Sequence, residues 1–372
     1  MDGGRIIGRH EQESGISETA WRLLRILLLI GLMTLIPIET GRAQEPGSGG
    51  SPSGAALTGP GNGRSRATPA PLGDIVLGGP LELQVREVLI GPEAVAAVLA
   101  AAPTNGEPRE GTTYVAVNLA VRNTGEQILS LSNDDFALTG SSGLVRRFLG
   151  VQPPAPALAV TLGPGEAAEG WVAFGIPGEE TSLLLLFDSL ELGGNWADRV
   201  LALQDGVTIP DRPERAAAVN DAGRDPIAPL GIGKTAVTEQ WSVELLEVVS
   251  GVAAFDMVDY RTGALGAGDA AGEDGSLWVA MRFRVQNAQA GGDLASFPAS
   301  AFVLVDGEGN PLLDVLTLTP PRPDAAGDYF PGATREGWVM FDVPLDYGAA
   351  MVRFLPYPET TEQPDPRFFT YS

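Results

Sequence analysis

An all-β chain of two immunoglobulin-like antiparallel β-sandwich domains in tandem, preceded by a signal or anchor segment and a disordered linker, is the architecture this sequence predicts. Three observations carry the prediction. One set of motifs occurs twice in the same order, its segments alternate apolar and polar residues with period two, and no long amphipathic helix interrupts the chain after residue 44.

In chain order, Arg22 and Arg25 flank the start of an apolar run, Ile26 to Ile36, which ends at Pro37 and the polar stretch ETGRAQ. That is the layout of a secretory signal. Gly41 and Ala43 supply small residues at −3 and −1, so cleavage after Ala43 would leave Gln44 first. The run is shorter than the roughly 20 residues of a spanning helix, yet the leader before Trp21 is long and carries Glu11, Glu13 and Glu18. Residues 1–43 therefore read as a signal peptide or, uncleaved, as an N-terminal anchor. No cysteine follows the run to accept a lipid. Residues 44–71 read as a disordered Gly/Pro/Ser-rich linker, too poor in large apolar residues to repay the entropy of ordering. The first domain is expected over 72–204, a polar interdomain linker over 205–228, and the second domain over 229–372.

The repeat defines those two domains. PGEAAEGWVAFGIP (Pro164–Pro177) returns as PGATREGWVMFDVP (Pro331–Pro344), YVAVNLAVRN (Tyr114–Asn123) as WVAMRFRVQN (Trp278–Asn287), and FALTGSSG (Phe136–Gly143) as FVLVDGEG (Phe302–Gly309). PLG openings at Pro71 and Pro229 and the closing LLLF at Leu184 and MVRF at Met351 complete the set. Side chains alternate across a strand. Val115, Val117, Leu119 and Val121 share one inward face, as do Val279, Met281, Phe283 and Val285 opposite the water-facing Arg282, Arg284 and Gln286. Val172, Phe174 and Ile176, matched by Val339, Phe341 and Val343, point inward from the EGWV strands, which puts Trp171 and Trp338 on the other face. PEAVAAVLAAA (Pro92–Ala102) predicts one short helix in a connection of the first copy. Its counterpart around Gly263–Gly275 is glycine-rich and predicts a loop.

A strand ending in Asn, then F-x-L with a glycine turn, then PG-x-x-x-E-G-W-V-x-F-x-V/I-P and an LLLF-type strand, resembles the DUF4352 family. The resemblance covers about Leu72–Ser189 and Leu230–Tyr357. It implies extracytoplasmic immunoglobulin-like sandwiches similar to a small secreted mycobacterial antigen, and no established activity.

Composition narrows the chemistry. The net charge is −23, and residues 1–43 hold as many bases as acids, so the excess lies in the exported part. Such a surface repels phosphate backbones and anionic lipid, which predicts no nucleic-acid partner and no membrane contact beyond the N-terminal segment. There is no cysteine, and the one histidine, His10, sits in the leader. A chain starting at Gln44 then lacks the groups for a Ser-His-Asp triad, a thiol nucleophile or an ordinary zinc site. APLGIGKT (Ala228–Thr235) satisfies a permissive phosphate-loop pattern, but strand alternation follows where a helix is required, so Lys234 predicts no nucleotide site. Glu169 and Glu336 precede the repeated tryptophans and read as strand-edge carboxylates rather than catalytic ones. Trp171 and Trp338 read as packed beneath a loop rather than as a sugar platform. Asn133–Asp135 and Asp306–Asn310 have oxygen ligands at calcium-like spacing but also the composition of tight turns. No catalytic, cofactor-binding or metal residue is assigned. The sequence predicts a non-enzymatic, exported binding or structural module of the cell envelope or extracellular space, with an unknown envelope protein or glycan as partner. A hydrolase using carboxylates alone, such as a glycosidase, is the alternative. The long connections Gly91–Gly111 and Val252–Gly275 differ between the copies and are the expected carriers of binding.

Overall fold

The computed structural model describes residues 61–147, 150–187, 199–257, 276–312, 316–344, 351–355 and 365–370. The leader, His10, the cleavage site, the linker up to residue 60 and the predicted loop at Gly263–Gly275 lie outside the described residues.

The first half forms β1 (Val76–Gly78), β2 (Leu81–Ile90), α1 (Pro92–Ala101), β3 (Thr112–Asn123), β4 (Leu129–Leu131), β5 (Phe136–Thr139), β6 (Arg146–Arg147), β7 (Val160–Leu162), β8 (Ala167–Pro177), β9 (Leu184–Phe187) and β10 (Arg199–Ala202). One sheet runs β1-β2-β3-β8, a second runs β10-β9-β5-β6, and β4 pairs with β7, all antiparallel. The second half forms β11 (Thr235–Val237), β12 (Trp241–Ser250), α2 (Val252–Asp256), β13 (Ser276–Asn287), β14 (Ala295–Phe297), β15 (Phe302–Val305), β16 (Leu316–Leu318), β17 (Gly327–Tyr329), β18 (Thr334–Pro344), β19 (Met351–Phe354) and β20 (Arg367–Thr370). Its sheets are β11-β12-β13-β18-β16 and β15-β19-β20, with β14 paired to β17. The two halves thus share a pairing order, down to a bulge in β2 after Val85 and in β12 after Leu245.

Period two places the cores. Val115, Val117, Leu119, Val121, Val172, Phe174 and Ile176 all lie in the first buried cluster, and Val279, Met281, Phe283, Val285, Val339, Phe341 and Val343 all lie in the second. The second core is the more aromatic: Trp241 meets Phe297 edge-on at 4.9 Å, and Phe283 stacks on Phe302 at 4.2 Å.

The repeated motifs acquire causes. Pro164-Gly165 and Pro331-Gly332 are turns whose glycines take φ of 78° and 82°, a region that side chains avoid. Each turn is tied to the asparagine ending the preceding long strand, through Gly165 N to Asn123 O and Gly332 N to Asn287 O, both 2.8 Å. Those asparagines are fully buried, and their amides donate to Leu162 O at 3.0 Å and Tyr329 O at 2.9 Å. In E-G-W the glycine is needed because another chain segment crosses it. A Cβ on Gly170 would lie 2.8 Å from Leu158 N, and Gly337 is pressed more closely still by Asp324 and Ala325. The crossing segments are held by Trp171 N to Pro156 O at 2.8 Å and Trp338 N to Pro323 O at 2.9 Å.

Two expectations need correction, and a third is met. The sheet face opposite each core is not simply solvated: α1 lays Ala94 and Val98 over Tyr114, Ala116 and Ala173, and in the second half Ala254 packs with Trp278, Ala280 and Met340. The predicted helix is present as α1, with proline in its first turn, but the second half also has a one-turn helix, α2. Finally, residues 61–71 do not continue a disordered linker. Ala70 is fully buried and bridges to Leu201, and Arg66 is 4% exposed.

The stretch 205–228 also departs from the expected free linker. Ile209 N donates to Arg66 O at 2.8 Å, Val207 and Ile209 pack on a cluster of the first half, and Arg212 exchanges backbone hydrogen bonds with Gly291 at 3.0 and 2.8 Å. Further on, the fully buried Arg367 donates to Asn220 O at 2.9 Å. Residues Ala56–Ser372 form one compact unit.

Candidate functional site

The two sandwiches meet along the lead-in to β6 and the end of β17. Val145 N donates to Asp328 O at 3.0 Å, Phe330 N donates to Gly143 O at 2.9 Å, and Leu144 bridges antiparallel to Tyr329. The side chains there are exchanged. Leu144, 6% exposed, joins the core of the second sandwich, while Phe330, 7% exposed, joins a cluster of the first with Ala137, Val145 and Leu186. The guanidinium of Arg66 lies 3.8 Å over the Phe330 ring, a cation–π contact that fixes residues 61–71 on the junction. Burial, opposed by Asp211, pushes the pKa of Arg66 down to about 10, so it is charged at neutral pH.

Beside this contact lies a cleft of about 690 Å³, within the range of small-ligand sites. Its walls come from both sandwiches and from the end of the first long connection, and five arginines line it: Arg109, Arg146, Arg147, Arg322 and Arg335. The acids among its lining residues are Glu107 and Asp324. Arg147 is held by Asp328 of β17 at 3.0 Å, and Arg335 by Ala326 O at 2.5 Å and Asp324 at 3.6 Å. No ion-pair or side-chain hydrogen-bond partner is present among the described residues for Arg109, Arg146 or Arg322. Arg146 is half-buried, and its Nε is enclosed without a hydrogen-bond partner. Burial lowers its pKa and the like charge of Arg335 lowers it further, against weaker support from Glu180 and Glu179.

The residues singled out from sequence fall elsewhere. Lys234 is exposed in a turn leading into β11, with no helix after it. Asp306 turns its carboxylate back on its own hairpin, accepting from Glu308 N and Asn310 N, each at 2.9 Å, and these bonds hold its pKa below the usual carboxylate range. Asp135 closes a capping box with Ser132, accepting from Ser132 N at 2.7 Å. Both acidic stretches thus spend carboxylates on turn geometry, and no cluster of three metal-ligating side chains occurs among the described residues.

Glu336 sits in a cross-strand ladder with Arg284 at 2.7 Å and Arg282 at 3.3 Å, continued by Arg284–Glu244 at 2.6 Å and Arg282–Glu247 at 2.9 Å. Its counterpart Glu169 accepts from Asn118 Nδ2 at 3.0 Å once that amide is oriented to its neighbours, while Asn118 Oδ1 accepts from Trp171 Nε1 at 3.2 Å. Trp171 and Trp338 are half-buried against the α1 and α2 clusters, as packing residues. Sequence reasoning missed the arginine cleft. The available signal was comparison of the copies: at the motif offsets, Arg146 aligns with Leu312, Arg322 with Ala155 and Arg335 with Ala168.

No curated protein matches the chain. Solved structures similar to it include the YcdA protein of Bacillus subtilis, 16% identical over 36% of this chain and 38% of that one, TM-score 0.27. The secreted protein MPT63 of Mycobacterium tuberculosis is 15% identical over 36% of this chain and 94% of that one, TM-score 0.26. An uncharacterized β-sandwich protein of Clostridium difficile 630 is 13% identical over 36% and 91%, TM-score 0.24. This chain therefore spans well under half the length of YcdA. The family model described as a domain of unknown function, DUF4352, matches residues 70–198, the span of the first sandwich, whose strand motifs resemble that family.

Proposed function

We propose that the chain is an exported, non-catalytic binding module in which two DUF4352-type sandwiches, the second a diverged copy of the first, form one ligand site at their junction. The observation that carries this reading is the arginine-lined cleft. In a chain of net charge −23, basic groups converge where both sandwiches and the end of the Gly91–Gly111 connection meet. Export rests on the leader, with its arginines, apolar run and small residues before Gln44. The non-catalytic reading rests on the lack of His and Cys beyond residue 43 and on the structural employment of Glu169 and Glu336 described above.

The test is confined to the part of the connection free of the helix, because α1 covers apolar sheet surface and Asn105 anchors the next turn to Val98 O and Gln152 O at 2.6 and 2.8 Å. Replacing Glu107–Glu110 with Gly and Ser is expected to leave thermal unfolding unchanged while weakening capture of an envelope protein or glycan from extracts, identified with the unaltered chain. Unchanged capture would remove the cleft from the reading. Saturable hydrolysis of a glycan or ester, abolished by one Asp or Glu substitution, would overturn the non-enzymatic assignment.

A further inference from the structure

We infer that the junction cleft is an oxyanion site, built from Arg109, Arg146 and Arg322, for a ligand carrying more than one phosphate or carboxylate group. This rests on the binding reading above and adds the chemical class of the ligand. A desolvated guanidinium is ordinarily met by a carboxylate, because an uncompensated charge in a partly buried site is costly. Several arginines elsewhere in this protein keep that rule, although the buried Arg66 is met by the Phe330 ring instead. Arg284, Arg282, Arg224 and Arg215 each reach a carboxylate within 3.3 Å, though all are more exposed than a core residue. Arg146 differs from these four: half-buried, it has no carboxylate in ion-pair contact among the described residues, and it faces the like charge of Arg335. An acidic chain with 47 carboxylate side chains has had every means to neutralise it.

The second observation is independent of burial. Arg146, Arg322 and Arg335 stand where the other copy has Leu312, Ala155 and Ala168, so none belongs to the pattern that both sandwiches share. Arg109 lies in a connection peculiar to the first copy. Arginines added separately to β6, to the segment before Pro323 and to β18 converge on one cleft only after the sandwiches dock. The planar guanidinium matches phosphate and carboxylate through paired N–H donors. A volume of about 690 Å³ admits a ligand larger than a bare ion, and three cations without partners call for more than one negative charge.

The test uses the whole chain from Gln44 in calorimetric titrations at low ionic strength. The probes are pyrophosphate for phosphate, trigalacturonate for sugar-borne carboxylate, and the neutral galactotriose as control. Binding of at least one anionic probe and not of galactotriose is expected. Affinity is expected to fall about tenfold or more in Arg146→Gln and in Arg322→Gln, the loss of one charge-assisted contact each. Arg122→Gln, a change at an exposed arginine outside the cleft, should leave it within about twofold. Without ligand, Arg146→Gln should unfold at the same temperature as the parent or higher, an outcome a purely structural arginine would not give. Equal binding by parent and Arg146→Gln, or equal loss in Arg122→Gln, would overturn the site. If no anionic probe binds while capture of the envelope partner is still lost on altering Glu107–Glu110, the anion class fails and the binding reading stands. If capture also survives, both fail.

Discussion

Truncating Leu144 to alanine tests whether the sandwiches are joined by a shared core. Leu144 belongs to the first sandwich by sequence, yet its side chain is 6% exposed inside the second, beside the bridge to Tyr329. Removing a buried leucine side chain costs about 2–5 kcal/mol, the lower end applying where the surroundings can close in. A junction made of loop and strand ends can relax in part, so about 2.5 kcal/mol is the working figure. For a unit of this size that lowers the midpoint by roughly 5–10 °C. With Trp171 and Trp196 replaced by phenylalanine, the tryptophans left beyond the leader all belong to the second half, among them the fully buried Trp241, and their fluorescence reports its unfolding, so the loss should appear in that transition although the mutation lies in the other sandwich. The fragment 229–372, lacking both Leu144 and the 205–228 stretch, should be destabilised by at least as much. A Leu144→Ala protein whose Trp241 transition moves by less than about 0.5 kcal/mol, within the scatter of surface substitutions, would show that the halves are energetically independent, and the junction would lose its claim to be a fixed site.

Other outcomes follow from single residues. Gly170→Ala should destabilise the first sandwich by about 1–3 kcal/mol in urea titrations, because a Cβ 2.8 Å from the backbone of Leu158 must displace a whole segment. No effect would mean that the segment is not seated on β8. Burial pushes the Tyr329 phenol above its usual range, against the opposing charge of Arg335. The sign is that of a raised pKa: its contribution is complete below the unfolded value of about 10 and is lost as pH rises beyond it. The stability difference between parent and Tyr329→Phe should therefore shrink above about pH 10, and a constant difference would contradict the burial. Mass spectrometry of the exported protein should find Gln44 at the N-terminus, whereas an intact leader in the membrane fraction would identify an anchor.

What the sequence makes legible is what repeats locally. Alternation in Val115–Val121 and Val279–Val285 names the core faces, and a proline followed by an alanine-rich run names α1, because both signals lie within one element. The outer faces were misread for the complementary reason. Ala116, Ala173 and Ala280 alternate as outward positions, and nothing in period two says that a helix will lie over them; the hint was their small size. Gly170 and Gly337 read as strand residues, although their role is to admit a crossing chain more than ten residues away. The 205–228 stretch reads as a linker because it is polar, yet Val207 and Ile209 pack on the first half, and no side-chain pattern foretells the backbone bonds of Arg212 with Gly291.

The arginine cleft was illegible for a stronger reason: it exists in neither copy alone. Each sandwich can fold around its own period-two core whatever stands at position 146 or 322, so no packing rule selects arginine there. Where two halves share one strand pattern, the shared positions answer to the same strand geometry, and differences are free to serve contacts between the halves or with a ligand. Leu144 and Phe330 show the first kind of difference, replacing Asn310 and Gly163 of the opposite copy with anchors that dock the sandwiches. Arg146 and Arg322 show the second. They line the cleft beside those anchors, and among the described residues neither makes an ion pair across the junction. Docking fixes the distance between two walls, and charge on both walls becomes useful only once that distance is fixed. Loosening the junction with Leu144→Ala should therefore weaken anion binding as well as stability, even though Leu144 touches no part of the proposed ligand. Anion affinity unchanged in a protein whose junction is measurably loosened would place the binding groups on one wall alone.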